Sequence, residues 1–134
     1  MSNLAIKIAL EQAIASITPT IQTVWENTKF KPTTGVPYQY VQFLPFITVN
    51  AEIGPMYEVR SYVQIDLYYP IENGTADALI QADIIKSFFK RGFTFANSGI
   101  TVTIIRTAVV SSGSTEGSFW KVPVKIYYNS FINA

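Results

Sequence analysis

EVRSYVQIDLYYPIENGTADALIQADIIKSFFKR, residues 58–91, reads as a long strand, a sharp turn and a helix in succession. Val59, Ser61, Val63, Ile65, Leu67 and Tyr69 point one way, and Arg60, Tyr62, Gln64, Asp66 and Tyr68 the other. A period of two with one apolar side marks a strand buried on one face. Pro70 ends it, and Glu72-Asn73-Gly74 makes the turn, glycine supplying left-handed backbone if the turn needs it. From Thr75, the expected N-cap, the period becomes helical: Ala78, Ala82, Ile85 and Phe89, joined by Leu79 and Phe88, form an apolar face. Asp77 suits the first turn, Lys90 and Arg91 the last, and Gly92 the stop. The helix is the natural cover for the apolar side of the strand.

Working outward, Ser2 to Ile17 carries Ile6, Ala9, Leu10, Ala13, Ile14 and Ile17 on one stripe, an amphipathic helix closed by Thr18-Pro19. Ile21 to Glu26 is a short strand. The segment Asn27 to Pro37 contains Pro32, Gly35 and Pro37 and is read as irregular. It nevertheless carries Phe30 and is flanked by Trp25 and Tyr38, aromatics that either fold back on the core or await a partner. Tyr38 to Asn50 is a strand apolar on both sides, expected to be covered on both, with a bulge or edge position at Pro45. Gly54-Pro55 turns it into the long strand.

After the second helix come a short strand at Phe93 to Ala96, a turn at Asn97-Ser98-Gly99, and a strand from Ile100 to Val110 whose change of phase predicts a bulge near Ile104-Ile105. Ser111 to Gly117 is small and polar and is read as a loop. Phe119 to Asn129 sets Trp120, Val122, Val124, Ile126 and Tyr128 on one face and Lys121, Pro123, Lys125, Tyr127 and Asn129 on the other. The expected fold is α+β, one domain over residues 1–134. A mostly antiparallel sheet of five to six strands carries two helices on one face, in the order α-β-β-β-α-β-β(-β).

Composition narrows function by exclusion. Charged residues make up 14% of the chain, against about 25% in typical soluble domains, and 49% is hydrophobic. Such a surface is expected to be covered in part by other subunits or partners. The net charge of +1 has no basic run behind it, so nothing marks a phosphate-backbone site; Lys29, Lys31, Lys90 and Arg91 read as solvated ends. With no His and no Cys, imidazole bases, thiol nucleophiles, disulfides and nearly all zinc sites are excluded. No apolar run approaches the about 20 residues that span a bilayer, and Lys7 and Glu11 break the N-terminal apolar stretch, so no signal peptide or membrane association is expected. Glycines are spaced like turns rather than a phosphate loop, and no catalytic residue, metal site or cofactor site is assigned. Asp66, in the middle of the strongest strand, reads as half of a structural ion pair or an intersubunit contact, with Arg60 on the same face. Tyr38, Tyr40, Tyr62, Tyr68 and Tyr127 could stack single-stranded bases but lack an interleaved basic set, and tyrosine is equally suited to protein interfaces.

Three segments together carry a resemblance. VWENTKFKPTTGVPYQYVQFLP (residues 24–45) is a strand, a loop with Phe-x-Pro, and Gly-x-Pro-Tyr entering a strand with Leu-Pro; RSYVQIDLYYPIENGT (60–75) is a strand closed by Pro and a Gly-Thr turn before a helix; WKVPVKIYY (120–128) is a terminal strand. In this order the chain is similar to the tail terminator (tail completion) proteins of bacteriophages with long non-contractile tails. The turn Pro-Ile-Glu-Asn-Gly-Thr departs from the more glycine-rich turn of many relatives.

The resemblance implies a non-enzymatic virion protein, made in the host cytoplasm. It would form a hexameric ring at the head-proximal end of the tail tube, stop tube polymerisation and join the tail to the head. Its implied partners are copies of itself, the tail tube protein and a head-tail connector or head-completion protein, with DNA only as cargo. Contact regions are expected at Lys29, Phe30, Lys31 and Pro32, at Ser114, Thr115 and Glu116, and on the polar strand face of Arg60, Tyr62, Gln64, Asp66 and Tyr68. The alternatives are another neck or tail-completion protein of related fold, and a small module binding single-stranded nucleic acid or an apolar ligand.

Overall fold

The structure is a computed structural model and describes residues 2–18, 21–33, 35–45, 47–50, 56–71, 74–97 and 99–133. The expected stop at Pro19, the Gly54-Pro55 turn, Glu72-Asn73 and Ser98 lie outside the described residues.

Strands β4 (Met56–Pro70) and β9 (Phe119–Asn133) pair antiparallel from end to end, Met56 opposite Asn133 and Pro70 opposite Phe119. Every other strand is arranged along this ribbon. The free edge of β4 takes β2 (Tyr38–Phe43) and then β3 (Ile47–Asn50), and the free edge of β9 takes β6 (Ile100–Ile104), β7 (Val109–Val110) and β8 (Ser114–Glu116). The outermost strands are β1 (Gln22–Trp25) beside β2 and β5 (Thr94–Asn97) beside β6.

The α+β class and the mostly antiparallel sheet stand, with three corrections. Among the described residues the strands number nine rather than five or six. First, two expected strands are broken. Tyr38 to Asn50 is interrupted at Leu44-Pro45, where proline has no N–H to give; the Pro45 carbonyl instead accepts from Ser61 Oγ at 2.8 Å. Ile100 to Val110 breaks between Ile104 and Val109 rather than forming a bulge, although Ile105 N–H still reaches the Tyr127 carbonyl at 3.1 Å. Second, Ser114–Glu116 is a strand folded back on Phe119–Lys121, not a loop. Third, β1 runs parallel to β2. A parallel neighbour needs a crossover of about a dozen residues, and the irregular segment after Trp25 supplies it. Asn27, at φ 57°, starts that crossover.

The core lies between one face of the sheet and both helices, α1 (Ser2–Ala15) and α2 (Ala76–Phe88). All six residues of the N-terminal apolar stripe, Ile6 through Ile17, are buried. Val59, Val63, Ile65 and Leu67 of β4 meet Val122, Val124, Ile126 and Tyr128 of β9 beneath Ala78, Ala82, Ile85 and Phe89. The sheet curls around α1, which touches both of its sides: Asn97 Nδ2 donates to Gln12 Oε1 at 2.9 Å, and Lys7 Nζ lies 5.3 Å from the Phe43 ring centroid.

Details of α2 differ from expectation. Leu79 is exposed and Gln81 is buried in its place, because the buried stripe is centred on Ala78, Ala82 and Ile85. Thr75 occupies the N-cap, but its side chain makes no capping bond; its carbonyl accepts the Leu79 N–H at 3.2 Å. The helix closes at Phe88, so Lys90 and Arg91 fall beyond it, and Gly92, at φ 89°, hands the chain to the sheet. Trp120, expected in the core, is half-buried at its rim against Gly113.

Candidate interaction face

The face of the β4–β9 ribbon turned away from the helices is built from the even residues of β4 and the odd residues of β9. Register sets its rows: Tyr68 lies opposite Tyr38 and Lys121, Asp66 opposite Tyr40 and Pro123, Gln64 opposite Gln42 and Lys125, Tyr62 opposite Tyr127, and Arg60 opposite Asn129.

At one end is an aromatic cluster. Tyr38 stacks on Tyr68 with ring centroids 4.6 Å apart, Phe119 meets Tyr38 edge-on at 5.2 Å, and Phe30 covers Tyr38 at 4.9 Å. The crossover segment therefore folds back over this face. A shallow groove of ≈ 260 Å³ runs among Phe30, Pro32, Tyr38, Tyr40 and Tyr68. Burial, followed by a hydrogen bond to Glu116, pushes the Tyr68 phenol well above its ordinary range; burial and the nearby Glu116 charge raise that of Tyr38.

The middle is polar and closed. Asp66 is fully buried and accepts from Gln64 Nε2 at 2.8 Å and Gln42 Nε2 at 3.0 Å, with Lys121 Nζ at 3.9 Å. Charge-assisted bonds of this kind are what allow a carboxylate to be buried. At the far end Arg60 and Glu58 pair at 2.8 Å, and Asn129 donates to Glu58 at 2.8 Å. The hydrogen bond from Arg60, seconded by Asn129, holds the Glu58 carboxyl below the usual carboxylate range.

The structure thus brings together Phe30, Pro32, Tyr68 and Glu116, drawn from three regions that were singled out separately. Ser114 and Thr115 are exposed beside them on the hairpin. Lys29 and Lys31 are exposed. Arg60 stands about 20 Å along β4 from Asp66 at 3.3 Å per residue, so it pairs with Glu58 and not with Asp66, whose cation is Lys121. The expectation that the tyrosines lack interleaved cations is also corrected. Lys121 lies over Tyr68 at 5.9 Å, Lys125 over Tyr62 at 5.4 Å and Arg106 over Tyr127 at 4.4 Å. Sequence alternation put Lys121 and Lys125 on the right parity of β9, but only the register joins them to particular tyrosines. Arg106 comes from the irregular link between β6 and β7, where no period signals it. Among the described residues no cluster of acidic side chains could hold a metal ion.

A profile of the phage tail terminator protein family matches residues 5–128. The chain belongs to that family. It is therefore a structural component of a phage tail, from a family of structural rather than enzymatic proteins. One solved structure aligns with 96% of this chain and 92% of its own at a TM-score of 0.68 and 22% identity, a likeness that establishes the shared fold alone. No curated protein sequence matches the chain. The terminator match spans most of α1, all of α2 and β4 and most of β9, so it covers nearly all of the scaffold that carries the face described above.

Proposed function

We propose that this terminator-family protein forms a hexameric ring on the head-proximal end of the tail tube. There it ends tube polymerisation and provides the surface to which a head-tail connector or head-completion protein binds, in a tail of the long non-contractile type. The observation that carries the reading is the family match over residues 5–128. The low charge of the chain and its aromatic, cation-studded sheet face support it, since tyrosine and arginine are the side chains enriched at protein contacts. Contacts with the tube, the connector and neighbouring copies are assigned to Phe30 and Pro32 with the adjacent Lys29 and Lys31, to Ser114, Thr115 and Glu116, and to the row Arg60, Tyr62, Gln64, Asp66 and Tyr68. Within that row the buried Asp66 acts by shaping the surface.

The test is native mass spectrometry and negative-stain imaging of the purified chain with and without tail tubes. Rings, and tubes capped at one end, are expected. A chain that stays monomeric and leaves tubes uncapped would overturn the reading. Rings located elsewhere in the neck of a virion would make it another tail-completion component.

A second reading is favoured by the three cations lying over Tyr62, Tyr68 and Tyr127. This is the pairing of charge and stacking surface that single-stranded nucleic acid uses. Fluorescence titration with an oligonucleotide at low salt decides it, and absence of binding removes it. Glu58, Asp66 and Glu116 on the same face weigh against it.

A further inference from the structure

At the middle of the β4–β9 ribbon two tyrosine rings and two cations meet. Tyr62 and Tyr127 lie opposite each other in the register, with ring centroids 5.2 Å apart. Lys125 Nζ stands 5.4 Å from the centroid of Tyr62, and the Arg106 guanidinium carbon 4.4 Å from that of Tyr127. Arg106 is exposed and the other three are half-buried. A guanidinium laid on a ring face is held in place while the N–H groups at its edge stay free, in the forked arrangement that matches a carboxylate. Among the described residues neither Arg106 nor Lys125 has an ion-pair or hydrogen-bond partner. The neighbouring charges of this face are engaged. Lys121 stands with the fully buried Asp66, Arg60 with Glu58, and Glu116 accepts from the Tyr68 hydroxyl.

We propose that Arg106 and Lys125 form a docking site for an acidic segment of a protein partner, with one carboxylate on the Arg106 fork and a second on Lys125. Charge complementarity selects this occupant. The two cations are the uncompensated charges at the centre of the face, and each already rests on a ring, so little side-chain freedom is lost when an anion arrives. The surroundings separate a short acidic segment from a nucleic acid. A phosphate backbone needs cations repeated along its track, whereas the free pair is confined to the centre, and the cations beyond it, Lys121 and Arg60, are each matched by a carboxylate. A segment entering at the centre avoids Glu58 and Glu116 towards the two ends, while a polyanion lying along the ribbon meets both. Neither a ring nor a tail tube is needed for this contact, which therefore stands or falls apart from the ring reading.

The probe is a fluorescently labelled hexaglutamate peptide, titrated with the purified chain at low salt and followed by anisotropy, beside a thymidine oligonucleotide of equal net charge. The peptide should bind, with an affinity that falls as salt is added. Arg106→Gln and Lys125→Gln should each weaken it about tenfold or more, with little change in the melting temperature. Arg106→Lys should keep only part of the affinity, since an ammonium cannot form the fork. Lys29→Gln and Lys31→Gln, exposed cations outside the site, should leave it as it is. An oligonucleotide that binds more tightly than the peptide would overturn the assignment in favour of nucleic acid. Peptide binding that survives Arg106→Gln and Lys125→Gln but is lost with Lys29→Gln would overturn it as general attraction to exposed lysines. A chain that caps tubes but never binds the peptide would remove this site and leave the ring reading intact. Peptide binding through Arg106 in a chain that forms no ring would keep the site and remove the ring.

Discussion

Gln42 reaches across from β2 to donate a 3.0 Å hydrogen bond to the Oδ2 atom of Asp66, a carboxylate with no exposed surface on the face of the sheet away from the helices. Gln64 takes the other oxygen at 2.8 Å. Two amides and the more distant Lys121 thus compensate one buried charge. Asp66→Ala strips both amides of their acceptor, and a charged hydrogen bond is worth about 1.5–3 kcal/mol. The substitution should cost about 3 kcal/mol in urea denaturation. Asp66→Asn, which keeps an acceptor but not the charge, should cost less, and equal losses would mean that an uncharged acceptor recovers nothing and that the interaction rests on the charge.

Gly113 and Trp120 form a second coupled pair. A Cβ at residue 113 would collide with the indole ring. Gly113→Ala should therefore destabilise by about 1–3 kcal/mol through overpacking. Because Trp120 is half-buried, Trp120→Ala should cost less than a fully buried tryptophan, about 2–3 kcal/mol. The double variant should cost less than the sum, since truncating the indole leaves room for the new methyl. Simple additivity in a double-mutant cycle would rule out the contact.

The Tyr128 hydroxyl is buried without a hydrogen-bond partner among the described residues. Ser61, directly opposite, gives its proton to the Pro45 carbonyl instead. Removing an unsatisfied polar atom while keeping the ring is neutral or favourable. Tyr128→Phe should leave the melting temperature unchanged or raise it. A clear drop would reveal a bonded water or partner at that oxygen.

Alkaline pH should discriminate among the tyrosines. Burial raises the phenols of Tyr38, Tyr68 and Tyr128, Glu116 adding to the effect at the first two. Below about pH 10, the ordinary tyrosine value, both folded and unfolded chains keep these protons and the groups contribute no slope. Above it the unfolded chain releases protons that the folded chain retains, so stability falls as pH rises. A flat melting temperature up to that pH followed by a decline is expected, shallower in Tyr68→Phe and in Tyr128→Phe. An identical decline in both variants and the parent would place the titration elsewhere.

Much of this was legible in the chain because it is local. The period of two through Val59–Leu67 and Val122–Tyr128, and the helical stripe Ile6–Ile17, each name their own buried side, and the structure buries those residues. Pro45 lacks an N–H whatever its neighbours, so an irregularity, read as a bulge or an edge position, was legible there, and the structure makes it a break between β2 and β3. The parallel β1, the crossover that lays Phe30 over Tyr38, and the union of Phe30, Tyr68 and Glu116 were not readable. Each depends on which strand lies beside which and in what register, and pairing energy between distant segments leaves no mark in the order of residues along either one.

By itself the sequence determined the α+β class, the two helices, the buried face of the central ribbon and the exclusion of His and Cys chemistry. Periodicity and composition are properties of single segments, and burial follows from them. Tertiary structure alone decided which polar groups share a surface. It paired Asp66 with Gln42, Gln64 and Lys121 rather than Arg60, and it set Arg106 and Lys125 over tyrosines. A side chain's partner is set by strand register and sheet curl, which come into existence only when the whole core closes.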